Sequence, residues 1–227
     1  MRYEVAHELR TLIQSENRYE AKLEAMCSSL PSQTALGMAS LLPHQTLEWT
    51  VSEASGEFVV MADDTPTSGT DNRQKILQRE VSQSICLKSR EVVNKGTFEL
   101  RESIGESEVV YCYHNEIDKT GDSRESETNT FDACDRAISE VFELIKKFAN
   151  ANFNNFIVTA DHGFLYTHGT VETSDFTETK AKGEQIIKEN PRYVIGKALQ
   201  PHDAFMHFRA EQLDIKGSFE VLIPKSV

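Results

Sequence analysis

The sequence predicts an α/β protein in which a mostly parallel sheet is flanked by helices. Two apolar runs rich in β-branched and aromatic residues, Val109–Tyr113 and residues 156–158, each end abruptly in polar residues. Continuous runs of this kind are typical of strands buried on both faces. The clearest helical pattern, residues 131–149, lies between them. Strand, helix and strand in this order make a βαβ unit, whose two strands end at the same edge of a parallel sheet.

The length and composition favour one large domain, residues 1–227, with a sizeable core. The chain has 24 basic and 36 acidic residues, a net charge of −12 that argues against broad electrostatic binding to nucleic acid or anionic membranes. No apolar run approaches the roughly 20 residues that span a bilayer, and no signal segment opens the chain. We therefore expect a cytoplasmic protein. The four cysteines form no C-x-x-C pair, which favours free thiols.

The first third of the chain predicts two helices separated by a strand. Apolar residues at helical spacing predict a helix to Ser15, and loose alternation predicts a short strand over residues 19–26. A turn-rich segment then leads into a helix, residues 35–42, which Pro43 ends. Thr34 is therefore expected at or near a helix N-cap, where backbone N–H groups favour an anion.

The remaining elements follow from alternation and helical periodicity. Residues 47–51 and 57–61 predict a hairpin around Ser55-Gly56, and residues 164–188 predict a polar loop with a helix. Further helices are predicted at residues 73–81 and 98–104, and further short strands at residues 193–195, 205–208 and 219–223.

Polar side chains follow both strands of the predicted βαβ unit. His114 and Asp118 follow the first strand, and Asp161 and His162 follow the second. Ligands of open α/β sheets bind at the carboxyl ends of the strands. Carboxylates and imidazoles converging with the Thr34 hydroxyl would suit one or two divalent ions that activate a nucleophile at a phosphoryl centre. Each residue alone also has an ordinary interpretation: a helix cap, a hydrogen-bonded histidine or a turn residue.

Five segments resemble the PglZ domain of the alkaline phosphatase superfamily, a core component of BREX bacteriophage-defence systems. They are LPSQTALGMA (30–39), NRQKIL (72–77), YCYHNEIDKTGD (111–122), TADHGF (159–164) and VLIPKS (221–226). The resemblance runs through nearly the whole chain and keeps the motif order, which makes it specific. It implies an alkaline-phosphatase-like fold.

The resemblance also implies a role for each candidate residue. Thr34 matches the nucleophile and metal-bridging hydroxyl, and Asp161 and His162 match the pair that holds one metal with it. His114 and Asp118 are then the expected ligands of a second metal, although their order is reversed relative to better-known members of the superfamily. Two zinc ions are the expected cofactors, with manganese as an alternative.

Two family segments have no counterpart in this sequence. A strand ending in Ser-Asp normally precedes the Arg2-Tyr3-Glu4 segment, and a His-Gly-Gly segment follows later; each supplies a metal ligand. We therefore expect a fragment truncated at both ends. Two hypotheses remain open: a metal-dependent phosphatase or phosphodiesterase domain, or an inactive remnant or scaffolding module that keeps partner contacts only.

The resemblance finally implies partners. Other BREX proteins are expected, among them the DNA methyltransferase PglX and an ATPase component. The expected substrate is a phosphoester or a nucleic acid, and no membrane contact is expected.

Overall fold

The protein is described by a computed structural model, which covers residues 2–52, 58–117, 127–164 and 179–225. The chain divides into two compact units. The first unit comprises Met1–Met26 and Leu77–Thr159, and the second comprises Cys27–Ile76 and Ala160–Val227.

The described elements are six helices and ten strands, followed here in chain order. The helices are α1 Tyr3–Ser15, α2 Thr34–Ser40, α3 Thr70–Glu80, α4 Ser89–Val93, α5 Thr97–Ile104 and α6 Glu127–Asn150. The strands are β1 Leu47–Val51, β2 Phe58–Ala62, β3 Thr65–Pro66, β4 Ser84–Lys88, β5 Val109–Tyr113, β6 Gly183–Asn190, β7 Tyr193–Leu199, β8 Phe205–Arg209, β9 Ile215–Lys216 and β10 Glu220–Pro224. A 3-10 turn, Ala210–Leu213, joins β8 to β9.

The first unit is built around a parallel pair of strands and the long helix α6. Strand β4 pairs with β5 in register from Ser84 opposite Val109 to Lys88 opposite Tyr113. A buried apolar cluster joins β4, α4, α5 and α6 through Leu87, Val92, Leu100, Ile104, Leu144 and Phe148. Helix α1 packs on α6 with its buried stripe of Val5, Leu9 and Ile13. Both helices form because apolar residues recur every three to four positions.

The second unit contains two four-stranded sheets and helix α2. One sheet has the strand order β3-β2-β1-β9 and the other β6-β7-β10-β8. The aromatic ring of Phe58 lies between the rings of Trp49 and Phe219, with centroid distances of 5.2 and 5.1 Å. The Asp63 carboxylate accepts hydrogen bonds from the backbone N–H groups of Gln45 and Thr46, which lowers its pKa and fixes the chain just before β1.

The α/β class with helices flanking the sheets is confirmed. Parallel pairing joins β4 to β5 and β1 to β9, whereas the other five described pairs are antiparallel. The sheets are therefore less parallel than predicted. The five helices predicted before residue 150 and the hairpin formed by β1 and β2 are present, as are strands at all three short positions near the carboxyl end of the chain. The helix expected within residues 164–188 does not occur in the described part of that segment.

The predicted buried strand at residues 156–158 is wrong. These residues form no strand, and the Ile157 side chain is 93% exposed. A strand requires a hydrogen-bonded neighbour. Strand β5 pairs with β4, and no described strand pairs with residues 156–158, so the expected βαβ unit is not formed in the part of the chain that the structure describes.

Two other predicted elements also differ from the structure. Residues 19–26 form no regular element, because no described strand lies alongside them. Residues 183–190, predicted as loop or helix, form β6 and pair antiparallel with β7. Their polar sequence reflects an edge strand that is largely open to solvent on its outer side. Residues 165–178 of the same predicted segment lie outside the described residues, as does the hairpin turn at Ser55-Gly56.

No helix in the described ranges is long and apolar enough to cross a membrane.

Helix α5 offers a direct test of the first unit's core. Leu100 is fully buried in the apolar cluster, whereas Phe98 on the same helix is 74% exposed. Leu100→Ala should lower the free energy of unfolding by about 2–5 kcal/mol, because it leaves a cavity. Phe98→Ala is the matched control and should change it by less than about 0.5 kcal/mol. Denaturant unfolding measures both, and equal losses would contradict the described packing.

Candidate functional site

Thr34 and His162 meet in the second unit although 128 positions separate them in the chain. Thr34 is the first residue of α2, and His162 follows Asp161 where the chain enters this unit. The distance from Thr34 Oγ1 to His162 Nε2 is 3.2 Å, and His162 is only 9% exposed. An exposed threonine hydroxyl and a buried imidazole are thus held within hydrogen-bond range of each other.

The neighbouring carbonyl fixes the tautomer of His162. The Nδ1 atom lies 2.9 Å from the Gly163 carbonyl oxygen. Because a carbonyl oxygen only accepts hydrogen bonds, Nδ1 carries the proton and donates it. In the neutral ring, Nε2 is then the basic nitrogen that faces the Thr34 hydroxyl. Such a nitrogen can accept the hydroxyl proton or bind a metal ion.

Asp161 contributes a carboxylate, and one of its two oxygens has no hydrogen-bond donor among the described residues. Its Oδ1 accepts a hydrogen bond from the His162 backbone N–H at 3.0 Å. Its Oδ2 is buried, has no hydrogen-bond donor among the described residues and lies 3.5 Å from His162 Nε2. A buried carboxylate oxygen without a donor costs about 1–3 kcal/mol or more. A cation is the partner that such an oxygen suits best.

The close approach of α2 to Asp161 holds these groups together. A Cβ atom at Gly37 would lie 2.4 Å from the Asp161 backbone oxygen and 2.9 Å from the Asp161 Cβ. Only glycine leaves room for that contact. The Gly37 backbone N–H donates to the Gln33 carbonyl at 2.8 Å, which starts the helix immediately before Thr34. The glycine in the LGMA segment therefore sets the distance between the hydroxyl and the carboxylate.

These residues suit a divalent ion, although they make up only part of a coordination shell. The hydroxyl oxygen of Thr34, the free Oδ2 of Asp161 and the basic Nε2 of His162 are donor types that divalent metals bind. Within the described ranges, no group of three or more His, Cys, Asp or Glu side chains is placed to hold a metal. Water, substrate or other oxygen donors would have to complete the shell.

His114 lies in the first unit and makes a different contact. Its Nε2 is 2.8 Å from Glu140 Oε2, on α6. Asp118, its predicted partner, lies outside the described residues. Sequence reasoning missed Glu140, since only the packing of α6 beside the end of β5 brings it near His114. Arg136, one turn earlier, is 3.3 Å from Glu116, so the same helix face contacts the segment after β5 twice.

Residues 1–227 match the family described as the BREX system PglZ alkaline phosphatase-like domain. The chain belongs to this family. No solved structure matches the chain.

Two relatives of this PglZ domain carry related names. It is 38% identical over 229 residues to the alkaline phosphatase-like protein BrxZ of Escherichia coli O9:H4 (strain HS), covering 100% of this chain and 26% of that protein. It is 30% identical over 219 residues to the alkaline phosphatase-like protein PglZ of Bacillus cereus (strain H3081.97), covering 96% and 25%. The chain thus spans about a quarter of the length of these relatives.

Two cysteines of the PglZ domain, Cys112 and Cys134, are poor candidates for a nucleophile. All four are free thiols. Burial raises the pKa of Cys112 to about 12, and a weaker contribution comes from the Glu91 carboxylate. Burial also raises the pKa of Cys134. Both side chains therefore stay protonated at neutral pH, whereas a nucleophilic cysteine must be a thiolate.

A separate cavity of about 610 Å³ lies in the first unit. Its lining includes Arg101, Ser107, Asn152 and Asn155 and none of the predicted site residues. It is at the amino end of β5, since Glu108 immediately precedes that strand. Ligand sites of α/β sheets lie at the opposite, carboxyl ends of the strands, so this cavity is a poor candidate for the reaction site.

The close contact between Gly37 and Asp161 can be tested by a substitution that adds a single methyl group. Gly37→Ala should lower the free energy of unfolding by about 1–3 kcal/mol, because the added Cβ meets rigid backbone at Asp161. Gly96→Ala is the matched control: φ is −68° there and the nearest atom to an added Cβ is 4.0 Å away. It should change the stability by less than about 1 kcal/mol, because the preference of the N-cap for glycine and the lower entropy of the unfolded chain with alanine oppose each other. Thermal unfolding measures both, and a neutral Gly37→Ala would refute the close approach.

Proposed function

We propose that this PglZ domain is a metal-dependent phosphoester hydrolase, a phosphatase or phosphodiesterase, in which Thr34 attacks the phosphorus. The observation that carries the proposal is the cluster of Thr34 Oγ1, His162 Nε2 and the donorless Asp161 Oδ2, with distances of 3.2 and 3.5 Å from the imidazole nitrogen to the two oxygens. The names of the relatives, both alkaline phosphatase-like proteins, support the same class of reaction.

Each residue of the cluster has its own role in the first step, the attack of Thr34 on phosphorus. Thr34 Oγ1 forms the new bond to phosphorus, the bond to the leaving oxygen breaks, and the hydroxyl proton passes to a base. His162, whose ring is fixed by the hydrogen bond from Nδ1–H to the Gly163 carbonyl, would present Nε2 to the ion beside the hydroxyl, so the base that takes the proton is a solvent water. A bound divalent ion would lower the pKa of the hydroxyl and neutralise charge on the phosphoryl oxygens. Water then releases phosphate from Thr34.

Two metal ions, zinc or manganese, are the cofactors in this proposal. Thr34, Asp161 and His162 hold the first, and His114 with Asp118 holds the second. The contact of His114 Nε2 with Glu140 is consistent with that role. Histidine ligands commonly donate their second ring N–H to a carboxylate, which leaves the other nitrogen for the metal. Glu140 would then orient the His114 ring through its Nε2–H and leave Nδ1 for the ion.

Other BREX components are the proposed partners, including the DNA methyltransferase PglX and an ATPase. The support is the BREX description of the family. The proposed substrate is a phosphoester of a small molecule or of nucleic acid, and the proposed location is the cytoplasm. A net charge of −12 repels nucleic acid, so we propose that partner proteins deliver such a substrate.

The scaffolding hypothesis remains the second candidate. The observation that favours it is that the described residues contain no group of three or more His, Cys, Asp or Glu side chains placed to hold a metal. A module of this kind would keep partner contacts and hydrolyse nothing. It predicts equal, background rates for the wild type and for every site variant.

Substitution of Thr34 tests the reaction. Hydrolysis of a chromogenic phosphodiester and a chromogenic phosphomonoester is measured with added Zn²⁺ or Mn²⁺ and with a chelator. Thr34→Ala should lower the rate at least about a hundredfold, because it removes the oxygen that forms the bond to phosphorus. Thr34→Ser keeps the hydroxyl and should retain most of the rate.

The control outcomes separate the two hypotheses. Chelation should remove the wild-type rate and added metal should restore it. A wild-type rate in Thr34→Ala would refute the nucleophile assignment. An absence of metal-dependent hydrolysis in the wild type itself would favour the scaffolding hypothesis.

A further inference from the structure

The cavity of about 610 Å³ in the first unit has walls that the fold holds in place. It lies where helices α5 and α6 end and β5 begins. Arg101 Nη2 donates to the Asn150 carbonyl at 2.6 Å, which ties α5 to the end of α6. The backbone N–H of Glu108 donates to the Gln83 carbonyl at 2.7 Å, which holds a further wall beside β4. The volume is within the range of about 300–1,000 Å³ that is typical of preformed small-molecule pockets.

Part of the cavity lining is apolar. Ile104, Ala151 and Phe153 line the cavity, and all three pack in or against the apolar cluster of the first unit. The rings of Phe153 and Phe148 meet edge to face, with their centroids 6.0 Å apart. The core therefore fixes a half-buried aromatic ring in the cavity wall, and such a ring suits the face of a flat ligand.

The rest of the lining is rich in side chains that form hydrogen bonds. The carboxamides of Asn154 and Asn155 each donate and accept, whereas the carboxylates of Glu106 and Glu108 only accept. All four residues are exposed, so a ligand from solvent can reach them. The cavity therefore suits a ligand that has both donors and acceptors around its edge.

The charges of the lining limit the class of ligand further. Glu106 and Glu108 contribute two negative charges, and the Arg101 guanidinium that shares the lining already donates to a backbone carbonyl. A phosphate or carboxylate group would be repelled there. A simple amine would contact the carboxylates but leave the apolar wall and the carboxamides unused. The lining fits best a neutral ligand that combines a flat ring with several hydrogen-bonding groups.

We propose that this cavity binds a neutral nucleoside, with adenosine as its representative. A nucleobase stacks on aromatic side chains, and the edge of adenine pairs with an asparagine carboxamide through N6 and N7. The hydroxyl groups of a ribose donate to carboxylates. The base would lie against Phe153 with Asn154 and Asn155 at its edge, and the ribose would lie at Glu106 and Glu108. The site is separate from the proposed reaction site and needs no metal, so it does not rest on the proposed function.

Calorimetric titration of the protein with adenosine, adenosine monophosphate and ribose tests the proposal. A chelator is present throughout, so that no metal-dependent hydrolysis alters the probes. Adenosine should bind with a stoichiometry of one. Adenosine monophosphate should bind at least about tenfold more weakly because its phosphate is repelled by the two glutamates, and ribose should also bind more weakly because it lacks the base. The proposal is overturned if adenosine shows no saturable binding, or if the monophosphate binds as tightly as adenosine.

Two sets of variants place the nucleoside in the cavity. The double variant Asn154→Ala/Asn155→Ala should weaken adenosine binding by about tenfold, because it removes the groups that pair with the base. Glu108→Gln keeps an acceptor for the ribose but removes one negative charge, so it should narrow the disadvantage of the monophosphate by about threefold. Glu102→Gln is the matched control, since Glu102 is exposed on α5 and does not line the cavity. It makes the same change in net charge and should leave the ratio of the two affinities unchanged.

An ordinary solvated surface makes the opposite prediction. Adenosine affinity would then be the same in the wild type and in Asn154→Ala/Asn155→Ala, and Glu108→Gln would behave like Glu102→Gln. Either result would overturn the proposal. All four substituted residues are exposed, so the thermal midpoints should stay close to that of the wild type. If the midpoint of the asparagine variant falls, the comparison of Glu108→Gln with Glu102→Gln decides the question.

Discussion

The site depends on one steric constraint, the contact between α2 and the backbone of Asp161 at Gly37. The absence of a side chain there lets the helix approach to a distance that any Cβ would forbid. Thr34 begins α2, and His162 follows Asp161. The contact at Gly37 therefore positions both residues of the 3.2 Å contact between Thr34 and His162. Hydrogen bonds from Gly37 to Gln33 and from His162 to Gly163 then fix the helix start and the imidazole tautomer.

The same constraint explains why the site carries an energetic cost. Burying Asp161 Oδ2 without a donor among the described residues is unfavourable. Local rules of polar satisfaction are broken mainly where function requires it. A cation bound by Asp161 Oδ2 would offset this cost, and its binding to the folded state would stabilise the second unit. The thiols of Cys112 and Cys134 in the first unit carry no such cost, because burial raises the pKa of each and keeps it neutral.

Local patterns predicted the helices well and the strands less evenly. Apolar periodicity predicted helices α1, α5 and α6 correctly, because a helix forms without a partner strand. A strand depends on its neighbour: β5 has β4, but residues 156–158 have no described partner and are exposed. The prediction failed in the opposite direction at β6. The local pattern of this polar segment indicated a loop, but pairing with β7 makes it a strand.

The candidate site was also predictable only in part. Thr34, Asp161 and His162 were chosen from motifs, and the 3.2 Å contact between Thr34 and His162 joins the first and last of them. Glu140 could not be found in this way, because only the packing of α6 beside the end of β5 brings its Oε2 within 2.8 Å of His114 Nε2.

The most direct test of the account is anomalous X-ray diffraction from crystals of the protein soaked in Mn²⁺. The metal would be located from its own scattering, without reference to activity. The account predicts one ion within about 2.0–2.4 Å of Thr34 Oγ1, Asp161 Oδ2 and His162 Nε2. An empty site in which Asp161 Oδ2 instead accepts a hydrogen bond from a protein group would contradict it.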